Sequence, residues 1–229
     1  MNLKHYIFFI ILILGVNNLE AQDKPSFFGI RSGVSIPYGK YHATDLDGGS
    51  FTTTGFNVSA EGVWFFHPKF GIGASAGLNF HPVDVYRLGW EKVQEDPFLE
   101  DLYIRADPYM IITAMTGFYT QFPIVKKFSF TGKLLVGLLY GRTPYQLYKP
   151  EYFLVGPPYY EITSAVDYKF SWQAGIGFRY DISPCFGLVL DSDIFYDKLI
   201  FGFNTALGTR YDEHIISFIN TTLGVRFDL

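Results

Sequence analysis

Residues 170–180 read FSWQAGIGFRY, and this stretch decides the fold. Large apolar side chains occupy every second position, apart from the smaller Ala174, and small or polar residues stand between them. Because side chains alternate between the two faces of a β-strand, a period of two over this length indicates a strand with one apolar face. Residues 214–229 repeat the pattern, with Leu223 on the apolar face and Gly224 on the other. Both stretches predict long strands of a sheet.

Segments of this kind recur along the chain and predict eight strands. Their ranges are 27–38, 51–66, 70–81, 109–122, 128–142, 165–181, 186–197 and 214–229. Short turns alternate with long connections, the turns at 67–69, 123–127 and 182–185 and the connections at 39–50, 82–108, 143–164 and 198–213. Outer-membrane barrels have short periplasmic turns and long external loops. We therefore predict an all-β fold, an eight-stranded antiparallel up-and-down transmembrane β-barrel with both chain ends in the periplasm.

The composition indicates which face of the strands points outward. Charged residues make up 17% of the chain and aromatic residues 19%, whereas a soluble surface carries about 25–35% charged residues. Eight strands enclose an interior only wide enough to be filled by side chains. A soluble barrel or sandwich would crowd the large apolar residues inside and leave a surface of glycine, serine and threonine. We predict instead that the large residues face lipid and the small ones face the lumen.

Aromatic residues cluster near the predicted strand ends, and we expect them to form two girdles at the membrane interfaces. Near the short turns these residues are Trp64, Phe66, Phe70, Phe122, Phe128, Tyr180 and Phe186. Near the long connections they are Tyr38, Phe80, Tyr109, Tyr140, Tyr168 and Tyr196.

The N-terminus has the pattern of an export signal. Lys4 and His5 precede an apolar run at 6–16, which a small Ala21 follows. A bilayer-spanning helix needs about 20 apolar residues, so the run suits a signal peptide better. We predict a signal peptide at 1–21 and a barrel domain at 22–229. The net charge of -4 gives no basic patch and argues against a nucleic-acid partner.

Three stretches resemble the PorT-like family of outer-membrane β-barrel proteins. They are GVSIPYGKY at 33–41, FFHPKFGIG at 65–73 and TLGVRF at 222–227. The resemblance implies a cell-envelope barrel in the outer membrane, surrounded by outer-membrane lipid and without catalytic residues. Such barrels often end in an aromatic residue that the barrel-insertion machinery recognises. This chain ends in Leu229, and Phe227 is the nearest substitute.

Six charged residues fall on the small-residue face of the strands. They are Arg31, Glu61, Lys133, Arg179, Asp191 and Arg226. Unpaired charge in so narrow an interior is costly, so we expect a network of ion pairs in the periplasmic half of the lumen. Specifically, we predict that Arg31 lies near Glu61 and Arg179 near Asp191. The alternative is a gated pore or a proton path.

The long connections carry the other distinctive side chains. Segment 143–164 presents a possible external binding loop formed by Tyr145, Tyr148, Tyr152, Phe153, Tyr159 and Tyr160. Exposed aromatic residues mark binding surfaces. The alternative is that the strands extend above the membrane and that these residues pack their own loops. Segment 82–108 is rich in carboxylates.

No motif assigns a catalytic residue, a cofactor site or a metal site. His81 and His214 fall near the external rim with several aspartates, including Asp84, Asp107 and Asp212, but without a diagnostic spacing. The leading hypothesis is a non-enzymatic barrel that contacts a protein or glycan through its external loops or periplasmic turns. The alternatives are an outer-rim hydrolase acting on lipid A or peptides, and a narrow channel.

Overall fold

The computed structural model describes residues 26–205 and 208–229, so the predicted signal peptide at 1–21 lies outside the described residues. Eight antiparallel strands close into a barrel in which β1 also pairs with the last strand, which confirms the predicted fold. The barrel strands are β1 (Phe27–Pro37), β2 (Gly55–His67), β3 (Phe70–His81), β5 (Tyr109–Val125), β6 (Phe128–Arg142), β9 (Val166–Ser183), β10 (Phe186–Thr205) and β11 (Gly208–Asp228). Among the described residues, no helix combines the length and the apolar character needed to cross a bilayer.

Burial alternates along the barrel strands as the period of two requires. In β9, Ser171 and Gln173 are buried, whereas Trp172 and Ile176 point outward. Ile176 and Leu223 are each 60% exposed although both are fully apolar. Exposed apolar side chains of this kind surround the whole barrel, and a soluble monomer rarely exposes so continuous an apolar surface. The outer face of the wall is therefore the face that meets lipid.

The two ends of the barrel differ. The three short turns lie at one end of the barrel, together with the start of β1 and the end of β11, and we name it the turn end. The long connections lie at the other end, the loop end. The connection predicted at 198–213 is wrong, because β10 and β11 continue as a paired hairpin as far as Thr205 and Gly208. Its charged and glycine residues resemble a loop in sequence, but Leu199 and Phe201 keep the alternation and face inward. The prediction for the second strand was also too long, since β2 begins at Gly55.

The other long connections fold over the loop end. They contain α1 (Val85–Glu95), β4 (Leu99–Ala106), β7 (Gln146–Tyr152) and β8 (Tyr160–Ile162). Strands β4, β7 and β8 form a separate three-stranded sheet, and α1 packs against β4. We call these four elements the cap. Its own apolar core includes Phe51, Leu88, Ile104 and Tyr148.

The interior of the loop-end half holds large apolar side chains beside buried polar ones, which corrects the prediction that small residues fill the lumen. Ile111, Leu139 and Ile216 are completely buried there. Phe195 stacks on Phe218 with ring centroids 4.7 Å apart. Each of these residues occupies an inward-facing alternate position of its strand. The stagger of the strands brings them together in one layer of the lumen.

Two tyrosines complete this apolar plug. Tyr109, predicted to lie in the girdle, faces inward and is buried. Its ring contacts Tyr41 edge-to-face at 5.5 Å between centroids. Tyr41 belongs to a short 3-10 helix, Gly39–Tyr41, which follows β1 and inserts this side chain into the barrel mouth. Tyr168 and Tyr196 do point outward, as a girdle requires.

Candidate functional site

A buried cluster of five charged residues crosses the lumen nearer the turn end. Arg31 lies at its centre, with Nη2 2.9 Å from Oε2 of Glu61 and Nη1 bonded to the carboxylate of Asp191. Nζ of Lys133 lies 2.8 Å from Oδ1 of Asp193 and 3.3 Å from Oδ2 of Asp191. We name these five residues the inner cluster. It combines two cations with three carboxylates.

Strand register explains how the inner cluster forms. Arg31 and Glu61 are diagonal neighbours on β1 and β2, within reach of a long side chain. Gly175 of β9 lies opposite both Lys133 of β6 and Asp193 of β10, so the cation and the carboxylate meet over the glycine. A Cβ atom at Gly175 would collide with both side chains.

Asp193 was missed by the sequence analysis. The sequence does contain a clue, because Asp193 lies two positions after Asp191 on the same strand and therefore faces the same side. Because both carboxylates point into the lumen from β10, each of them reaches both Arg31 and Lys133. Both are buried, as are Arg31 and Lys133.

The other two predicted cations form a second cluster at the turn end. Nη2 of Arg179 lies 2.6 Å from Oδ2 of Asp228, and Nε of Arg226 lies 2.8 Å from Oδ1 of the same residue. Both guanidinium groups also donate to Oε1 of Gln121, at 3.1 and 3.0 Å. The Arg226 guanidinium stacks on the Phe27 ring at 3.6 Å from its centroid.

The predicted contact between Arg179 and Asp191 is therefore wrong. The β9–β10 register sets Arg179 opposite Val189, and Asp191 opposite Gly177. The Arg179 side chain extends toward the turn end, where it bonds Asp181 and Asp228. Asp191 instead forms ion pairs with Arg31 of β1 and Lys133 of β6. The β9–β10 hairpin alone does not reveal these partners, because they belong to other strands.

Side chains fill the lumen along the part of the barrel that the structure describes. A cavity between the two charged clusters has a volume of about 20 Å³, which is room for about one water molecule. Toward the loop end, the apolar plug of Tyr41, Ile111 and Leu139 follows directly. The charged clusters and the plug thus occupy successive layers of the lumen.

The six aromatic residues predicted as a binding loop lie in different environments. Tyr148 is a core residue of the cap, and Tyr160 stacks on it with centroids 4.6 Å apart. Tyr152 packs against the same core, and Tyr145 is half-buried. Phe153 and Tyr159 are exposed at the tip of the segment between β7 and β8. The segment thus both packs the cap and leaves two of its rings in solvent.

A different part of the cap presents an aromatic groove. Tyr86 and Trp90 on α1 are exposed, and so is Tyr103 on β4. Together with the exposed Glu100 and Asp101 they line a groove of about 470 Å³, which we name the cap groove. This groove was not predicted from the sequence. The signal available was the spacing of Tyr86 and Trp90, four residues apart and hence on one face of a helix.

The rim histidines lie beside serine hydroxyls. Nε2 of His81 is 2.7 Å from Oγ of Ser35, and its Nδ1 is 3.2 Å from the Tyr41 hydroxyl. This group is completely enclosed in the plug. Nδ1 of His214 is 3.5 Å from Oγ of Ser50, a long contact that faces a chamber under the cap.

The rim aspartates have other partners. Oδ2 of Asp212 accepts a hydrogen bond from Nη2 of Arg210 at 2.5 Å. Among the described residues, no hydrogen bond joins Asp212 to His214. Asp84 caps α1 by accepting from the backbone N–H of Arg87 at 3.0 Å. The backbone N–H of Asp107 donates to the carbonyl of Tyr145. The geometry thus provides two serine–histidine contacts, and within residues 26–205 and 208–229 no carboxylate is hydrogen-bonded to either histidine.

Solved structures similar to this chain are small outer-membrane β-barrel proteins. Neisserial surface protein A matches at 7% identity over 89% of this chain and 97% of that chain, with a TM-score of 0.48. Ail, the attachment invasion locus protein of Yersinia pestis, matches at 16% identity over 91% and 100%, with a TM-score of 0.46. OprG of Pseudomonas aeruginosa matches at 10% identity over 90% and 97%, with a TM-score of 0.42. At such identities and scores we take neither a function nor a location from them.

No protein-family model matches the sequence, and none of the curated proteins matches it. The resemblance to the PorT-like family therefore stays a prediction.

Proposed function

We propose that this protein is a non-enzymatic barrel of the outer membrane and that its cap is the external surface with which it contacts a partner protein. The observation that carries the proposal is the cap groove, in which Tyr86, Trp90 and Tyr103 remain exposed on a folded support. Lipid surrounds the wall. Phe227 is exposed on that wall, where the insertion machinery would recognise it.

The charge of the cap favours a basic partner. Segment 82–108 contains seven carboxylates and three cations, so its net charge of -4 equals that of the whole chain. Glu100 and Asp101 place part of this charge beside the aromatic rings of the groove. Lysine and arginine side chains bind both kinds of group, through ion pairs and through cation–π contacts. A neutral glycan would use the rings alone.

Trp90→Ala should weaken the binding of a lysine- and arginine-rich peptide to the barrel in lipid nanodiscs. We expect a loss of about 0.5–2 kcal/mol, because one desolvated cation–π contact disappears. Isothermal titration at two salt concentrations measures it, and wild-type binding should weaken as salt rises. Tyr211→Ala is the matched control, since Tyr211 is exposed on β11 outside the groove. Equal affinities for wild type and Trp90→Ala would contradict the proposal, and Trp90-dependent binding of a neutral oligosaccharide would assign the groove to glycan.

A labelling experiment tests which side of the membrane the cap occupies. In a Cys185→Ser background, Val155→Cys should react with a membrane-impermeant maleimide on intact cells, because Val155 is fully exposed at the tip between β7 and β8. Lys126→Cys, in the turn between β5 and β6, should react only after the outer membrane is permeabilised. The opposite pattern would place the cap in the periplasm.

The channel and hydrolase alternatives have less support. Ion flow would have to cross both charged clusters, which leave a cavity of about 20 Å³ between them, and then the apolar plug. A hydrolase at the rim would need a histidine oriented for proton transfer next to an accessible nucleophile. Ser35 and His81 are enclosed, and Asp212 is bonded to Arg210 instead of His214.

A further inference from the structure

A chamber of about 200 Å³ lies between the apolar plug and the cap. Its walls come from separate elements: Leu88 and Lys92 of α1, Tyr148 of β7, and Phe203 and His214 of the hairpin formed by β10 and β11. Pockets for drug-sized molecules measure roughly 300–1,000 Å³, so this chamber suits a smaller ligand. It is separate from the cap groove. Leu88 and Lys92 project from the face of α1 opposite to that of Tyr86 and Trp90, as the helical repeat requires.

The chamber contains a cation without a neutralising partner. Nζ of Lys92 lies 5.6 Å from the centroid of the Tyr148 ring, and among the described residues no carboxylate lies within 4.0 Å of it. Arg210 at the chamber wall is neutralised by its ion pair with Asp212. The His214 imidazole is half-buried at the same wall, and burial disfavours its charged form. The walls therefore carry one net positive charge inside an otherwise acidic cap.

The remaining walls combine apolar side chains with the polar Ser50, Thr143 and Gln146. Phe51, Leu88, Tyr109, Tyr148 and Phe203 contribute ring and aliphatic surface, and the Ser50 hydroxyl lies among them. A half-buried ammonium group favours an anion that can bond it, and apolar walls favour a ligand body without charge. We propose that this chamber binds a small monocarboxylate with an apolar body, its carboxylate on Lys92 and its body between Phe51, Tyr109 and Phe203. A single lysine matches one negative charge better than the two of a phosphate monoester.

Binding of 4-fluorobenzoate to the barrel in nanodiscs tests the proposal, with 4-fluorobenzyl alcohol as the neutral probe of similar shape. Fluorine NMR should detect binding of the acid to wild type. Lys92→Gln should weaken it about ten-fold, because a charge-assisted hydrogen bond is lost. Lys92→Arg should retain binding, and so should Lys149→Gln, which removes an exposed lysine of β7 in the same cap. The alcohol should bind more weakly than the acid.

A second measurement needs no variant, which matters because Lys92→Gln also removes the contact with Tyr148. Acetic anhydride modifies exposed amines, and 4-fluorobenzoate should slow the acetylation of Lys92 in wild type without changing that of Lys149. Mass spectrometry measures both rates. The proposal is overturned if the acid does not bind, if Lys92→Gln binds it as tightly as wild type, if the alcohol binds as tightly as the acid, or if Lys92 is not protected. None of these results depends on the partner proposed for the cap groove.

Discussion

Arg31→Met is expected to lower the free energy of unfolding of the barrel by about 3–5 kcal/mol, because it leaves buried carboxylates without their central cation. In the native inner cluster, two cations face three carboxylates. Without Arg31, only Lys133 would remain to neutralise Glu61, Asp191 and Asp193. Methionine keeps much of the side-chain volume, so the loss reports charge more than packing. Urea unfolding of the protein refolded in lipid vesicles measures it.

Glu61→Gln should cost much less, although it breaks the same ion pair. That variant leaves Arg31 and Lys133 facing Asp191 and Asp193, which is a balanced set of two cations and two carboxylates. The double variant should recover part of the loss caused by Arg31→Met, giving a coupling energy between the two positions.

The ion pair between Lys198 and Glu213 is the matched control, since both side chains are about half exposed on the hairpin. Its coupling should be at most about 1 kcal/mol. Additive effects of Arg31→Met and Glu61→Gln would show that the two residues do not stabilise each other. The conductance of wild type and of Arg31→Met is recorded in parallel in planar bilayers. A large steady conductance of wild type would contradict a lumen filled by side chains.

Leu223→Arg and Ile176→Arg are each expected to destabilise the barrel by about 2–4 kcal/mol where the residue lies near the bilayer midplane. Both side chains are exposed on the wall, so the substituted guanidinium would enter hydrocarbon with no partner from the protein. The measurement is again unfolding from vesicles. Tyr211→Arg is the control, because Tyr211 is exposed on the part of β11 that rises above the apolar wall and should tolerate charge. Equal tolerance at all three positions would mean that Leu223 and Ile176 face water.

The barrel itself could be predicted because its determinants are local. The period of two in β9 and β11 follows from the geometry of a single strand, and short turns after β2, β5 and β9 mark every second connection. Arg31 and Glu61 were predicted as neighbours from depth alone, and the structure places them 2.9 Å apart. Arg179 and Asp191 were assigned to each other as near-diagonal neighbours on the hairpin formed by the 182–185 turn, yet their side chains bond other partners.

That difference arises from the two ways in which lumenal side chains meet. Neighbours on one hairpin are set by a turn, whereas contacts across the lumen depend on the stagger of all eight strands and on gaps such as Gly175. A long arginine side chain can extend toward either end of the barrel. Its direction depends on where the nearest unneutralised carboxylate lies. The contacts of Asp193 with both cations, and the burial of Tyr109 in the plug, emerge only when the strands are closed on each other.

The sequence by itself determined the strands, the lipid-facing side of the wall and the inward direction of the charged residues, because each follows from the alternation within one strand. Only the tertiary structure decided which charges meet, that an apolar plug fills the loop end, and that distant segments fold into a cap over a chamber lined by Lys92 and His214. The cap residues come from connections whose local patterns are weak. Their positions depend on packing between segments far apart in the chain, as the pairing of β4 with β7 shows.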